Sequence, residues 1–120
     1  MDKAENNKVY NLEDRTLSFA KAVRDFIKIV PKSLSNIEYS KQLIRSSGSV
    51  GANYIEANEA TTKKDLRMRV GISRKEAKES KYWLALLEPG EDKEKARIEL
   101  LNEALELTKI LSSIQRKIIV

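Results

Sequence analysis

Lys63, Lys64, Arg67, Arg74, Lys75, Lys78 and Lys81 recur at intervals that gather them on one side of a helix, and the chemistry such a group offers is neutralisation of phosphates. At about 100° per residue, Lys63, Arg67, Arg74, Lys78 and Lys81 fall within roughly 60° of one another, with Lys64 and Lys75 just beside them. Asp65, Glu76 and Glu79 lie roughly opposite, where Asp65 is placed to pair with Arg69 at i, i+4. Residues 63–81 thus hold eight basic side chains against three acidic ones, and the excess equals the net charge of +5 on the whole chain. The imbalance is local, which makes it a partner signal rather than a diffuse basic character. A stripe of about five turns is long enough to meet several phosphates of a nucleic acid backbone. The same pattern also describes a solvated lysine-rich face.

A second polar ladder lies in the preceding segment, residues 42–57, QLIRSSGSVGANYIEA. Gln42, Arg45, Ser46, Ser49, Asn53 and Glu56 share one narrow face, opposite an apolar stripe. Arg45 and Glu56 are separated by about 16 Å of helix and cannot pair within it. Their partners are expected on other helices or another subunit. Gly48 and Gly51 each weaken a helix interior by roughly 1 kcal/mol relative to alanine, so close approach by a neighbouring helix is expected to compensate.

Other chemistry is largely excluded. The chain has no cysteine and no histidine, which removes thiolate and imidazole metal sites, cysteine nucleophiles and the commonest general base. Glu56 with Glu59, or Glu76 with Glu79, could be read as paired carboxylates, but a di-iron bundle site needs Glu-x-x-His, and no pattern supports magnesium. Tyr82 and Trp83 suit packing better than stacking on bases. No catalytic residue, metal site or cofactor is expected.

These side chains must be positioned by helices, since two prolines and four glycines are the main punctuation and apolar residues recur at helical spacing. The spacing predicts helices over 12–30, 36–60, 63–88 and 92–118. Asn11 is the expected N-cap of the first and Pro31 its stop; Ser35 with Glu38 forms an expected capping box for the second. Leu66, Val70, Ser73, Ala77, Ser80, Leu84 and Leu87 make a heptad seam in the third. The fourth has two apolar edges, Leu100, Leu107, Leu111, Ile114 and Ile118 beside Ile98, Leu101, Leu105 and Ile119. One edge can face the bundle; the other predicts a homo-oligomer or, failing that, a thick-cored monomer. Short connections favour antiparallel neighbours, giving an all-α, up-down-up-down four-helix bundle over 11–120 after a flexible N-terminal segment, 1–10. The start is polar and no apolar run is long enough to cross a bilayer, so a cytoplasmic protein without membrane partners is expected.

With those motifs in view, the chain resembles the four helix bundle protein family, also called the 23S rRNA intervening sequence protein family. The resemblance is carried by residues 42–57, by RKEAKESKYWLALL at 74–87, and by Leu12-Glu13-Asp14-Arg15-Thr16 with Phe19-Ala20. It implies an antiparallel bundle assembled as a homopentamer, a non-enzymatic binder of RNA or DNA, and relatives that serve as accessory subunits of a reverse transcriptase. The matching signature positions are Gln42, Arg45, Ser46, Ser49, Asn53, Glu56, Glu76, Ala77, Glu79 and Trp83. Asp65-Leu66 departs from the aromatic-containing segment common in that family, and the milder basicity departs from its reverse-transcriptase partners.

Overall fold

Three of the four helices begin where a short polar side chain holds the first free N–H groups. Asn11, Ser33 and Thr62 accept from the backbone nitrogens of Asp14, Asn36 and Asp65, and so start α1 (Leu12–Ile29), α2 (Leu34–Asn58) and α3 (Lys63–Leu86). A 3₁₀ turn at Glu91–Lys93 leads into α4 (Glu94–Lys117). The structure is a computed structural model that describes residues 11–120; the expected N-terminal segment, 1–10, lies outside the described residues.

The second helix departs from its expected start. Ser33, not Ser35, is the cap, and Glu38 reaches forward to Lys41 at 3.3 Å rather than back into a capping box. Asn36 accounts for the shift: placed in the first turn it is 2 % exposed and its amide ties together three backbone groups. The fourth helix also starts later than expected, because residues 91–93 tighten into the 3₁₀ turn after Gly90, whose φ of +92° suits glycine alone.

Each helix packs on its two neighbours, α1 on α2, α2 on α3, α3 on α4 and α4 back on α1, and among the described residues the backbones of diagonally placed helices do not approach each other. This is the antiparallel up-down-up-down bundle that the connections predict. Phe19, Val23, Leu43, Val50, Val70, Ala77, Leu84, Leu107 and Leu111 form its core, which includes the heptad seam of α3 and the first apolar edge of α4. Packing is closest between α2 and α3, where small residues meet: Ser46 and Ser80 share a hydrogen bond of 2.8 Å between hydroxyls, and Ser73 donates to the Val50 carbonyl at 2.7 Å. Ser46 is therefore fully buried rather than part of the exposed ladder, since the ladder's edge is where α3 lies.

The two glycines of α2 have different surroundings. A Cβ on Gly51 would stand 2.8 Å from Oγ1 of Thr16 in α1, whereas one on Gly48 would meet nothing within 4 Å. Only Gly51 is a close-approach glycine. Gly48→Ala is expected to stabilise the fold by about 1 kcal/mol, and Gly51→Ala to destabilise it by about 1 kcal/mol once overpacking exceeds the helix gain. Denaturant midpoints moving in the same direction for both would refute the distinction.

Arg97 in α4 closes the far end of α3. Its guanidinium donates to the Leu84 carbonyl at 3.1 Å and pairs with Glu94. The hydrogen bond from Arg97 holds the Glu94 carboxyl below its ordinary value of 4.5. A depressed carboxylate stabilises the fold above its unfolded pKa and loses that contribution as pH falls through the folded one. The stability difference between wild type and Glu94→Gln is accordingly expected to be constant above about pH 5 and to shrink in more acid solution. A difference independent of pH in thermal melts would contradict this.

Candidate nucleic-acid interface

The cations of α3 occupy the flank of the helix that adjoins α4. Lys63, Lys64, Arg67, Lys75 and Lys78 are exposed, while Arg74, which shares a hollow with Gln115 of α4, and Lys81 are half-buried. Arg69 is set apart and lies 3.8 Å from Asp65, the pair expected at i, i+4. Two hollows flank the Gln115 side chain between α3 and α4, of about 510 Å³ beside Lys64 and Arg67 and about 440 Å³ beside Arg74, Lys75 and Lys78. No acidic side chain lines either one. A stripe neutralised by its neighbours would be a poor anion surface; this one keeps its charge.

The acids of α3 are occupied elsewhere. Arg45 of α2 bridges Glu76 at 3.3 Å and Glu79 at 3.0 Å, so the ladder expected to seek a partner finds one inside the same chain. Glu76 is 8 % exposed, and the Arg45 guanidinium is the cation beside it, in an ion pair that leaves Oε1 without a hydrogen bond among the described residues. Asn53 donates to the Ser49 carbonyl at 2.9 Å within α2. Gln42 and Glu56 are exposed and Ser49 is half-buried. Trp83 packs against the core, with the Tyr39 ring 6.1 Å away and the Tyr82 ring edge-on at 5.2 Å; Tyr82 itself is largely exposed. The signature face between α2 and α3 is thus a packed, ion-paired seam, and it and the cationic stripe occupy opposite flanks of α3. No group of three potential metal ligands occurs among the described residues.

Four contacts had weak or no sequence signal. Arg15 forms a two-pronged ion pair with Glu103 of α4, with bonds of 2.7 and 2.8 Å. Thr16 supports Gly51, and Asn58 donates to Glu13 at 2.6 Å. These contacts explain why Glu13, Arg15 and Thr16 cluster in one short motif: Glu13 and Thr16 hold α2 at two heights, and Arg15 holds α4. Gln115 fits over Gly71 on α3, a contact that joins residues too far apart in the chain for spacing to reveal.

Of the second apolar edge expected on the fourth helix, Ile98 is exposed and Leu101 and Leu105 are half-buried, while Ile119, also exposed, lies just past the end of α4 at Lys117, one residue short of the expected 118. No helix among the described residues is long and apolar enough to cross a membrane.

The family model described as 23S rRNA-intervening sequence protein matches residues 5–113. Among solved structures, a protein of unknown function from the S23 ribosomal protein family of Bacteroides thetaiotaomicron is similar, with a TM-score of 0.79 and 32 % identity over 89 % of this chain and 100 % of that one. No curated protein matches.

Proposed function

Because the chain belongs to the 23S rRNA-intervening sequence protein family, we propose that it is a non-enzymatic, cytoplasmic homo-oligomer, a pentamer, that binds RNA through Lys63, Lys64, Arg67, Arg74, Lys75, Lys78 and Lys81. The observation that carries this reading is the unneutralised cationic flank of α3, whose hollows no acidic side chain lines. Binding works by release of counterions from the phosphate backbone and carries little base information of its own. The exposed Ile98 of α4 and Ile119 just beyond its end support self-association.

Titration with RNA at about 50 mM and about 200 mM salt tests the reading, with affinity expected to fall by at least about a hundredfold between them. Absence of binding at the lower salt would overturn it. A salt-independent complex with an acidic protein, a reverse transcriptase for instance, formed by a chain without RNA affinity would replace it with a protein-binding role. Light scattering on the same preparation is expected to give five times the mass of one chain, and a monomer would remove assembly from the proposal.

A further inference from the structure

Gly71 lies in the middle of the cationic stripe and brings no side chain to it. A Cβ there would stand 2.4 Å from Nε2 of Gln115, so the glycine is what lets the Gln115 amide lie across α3, within 3.4 Å of the Arg67 carbonyl. The amide stands between the two hollows as a partition. Met68, 50 % exposed, lines both of them, and Ile72 adds apolar surface to the second. Nε of Arg74 is buried and has no acceptor among the described residues.

A surface built only to neutralise phosphates needs cations, not hollows. A duplex meets such a face with its outer phosphates, and its paired bases stay out of reach. An unpaired strand can turn its bases inward. The hollows offer such bases an apolar floor at Met68 and Ile72, guanidinium planes of Arg67 and Arg74 to stack on, and an amide that both donates and accepts at a base edge. Arg67 and Arg74 are two turns apart, about 10.5 Å along the helix, one beside each hollow.

We propose that the groove between α3 and α4 is a site for single-stranded RNA, which seats a base on each side of Gln115 while Lys64, Lys75 and Lys78 hold the backbone. The inference rests on the phosphate-binding reading above and adds a preference for unpaired strands. Fluorescence anisotropy with the full chain, using a labelled single-stranded RNA and a duplex of the same length, tests it. The single strand is expected to bind about tenfold more tightly. Gly71→Leu fills the groove and displaces Gln115; it should abolish that preference while changing duplex affinity by less than about twofold and leaving the salt slope intact. Gln115→Ala leaves α3 untouched and should weaken the single strand by about fivefold. Equal wild-type affinity for the two forms, or variants that weaken both forms alike, would overturn the groove site and leave the phosphate-binding stripe standing. Failure of both RNAs to bind at low salt would overturn the stripe and the groove together.

Discussion

Replacing Arg67, Lys75 and Lys78 together by glutamine is expected to weaken RNA binding about a hundredfold at about 50 mM salt and to reduce the slope of log affinity against log salt by about 2. All three are exposed on the same flank of α3, and no acidic side chain lines the hollows they border. The control is Lys21, Lys32 and Lys95, exposed cations outside α3 whose replacement by glutamine lowers the net charge by the same amount. That variant is expected to lose less than about threefold, because exposed charges off the stripe make no phosphate contacts and act only through a salt-screened attraction. Equal losses in the two triple variants would mean that the protein attracts RNA by net charge alone, without the stripe.

Asn36→Ala is expected to cost about 3 kcal/mol of stability, a fall of roughly 10 °C in melting temperature. The Asn36 amide donates to the carbonyls of Pro31 at 3.0 Å and Glu88 at 2.8 Å, and accepts from the Glu88 N–H at 3.0 Å. It therefore locks the turn between α1 and α2 to the end of α3, where the chain has left helical geometry and the backbone groups have no helical partners. Alanine would leave three backbone groups without their partner in a half-buried setting. Asn36→Asp separates hydrogen bonding from packing, since it keeps the size but turns an oxygen toward the Pro31 and Glu88 carbonyls. Its expected loss is similar in direction despite the favourable place of a carboxylate in a first helical turn. If calorimetry found either variant within about 0.5 kcal/mol of wild type, the clamp would not be a stabilising element.

Much of the bundle was legible from local pattern. The seam of α3 from Leu66 to Leu87 and the stripe of α2 through Leu43, Ser47, Val50 and Ala57 face the core, because a helix places residues three and four apart on one side whatever surrounds it. The angular gathering of the cations follows from the same rule. Their acids required more. Spacing put Glu76 and Glu79 on a different face from the stripe, but only the approach of α2 showed that Arg45 engages both.

The polar ladder of α2 marks where periodicity stops. Ser46, Ser49 and Asn53 look alike by composition, yet one is buried against Ser80, one half-buried and one bonded within its own helix. Gly48 and Gly51 present the same problem, being equal in sequence and opposite in environment. Hydrophobic patterning specifies that a face is covered, not which residue of the neighbouring helix arrives at a given height.

By itself, then, the sequence determined four helices, their apolar faces, the local excess of positive charge and the absence of cysteine and histidine chemistry. All of these depend on composition or on neighbours within two turns. The tertiary structure decided what depends on relative height and rotation between helices: the Asn36 clamp, the Arg15 to Glu103 bridge, the capping of α3 by Arg97, and the seating of Gln115 over Gly71. Those contacts join different parts of the bundle, most of them tens of positions apart in the chain, and packing of side chains into a shared core settles their register.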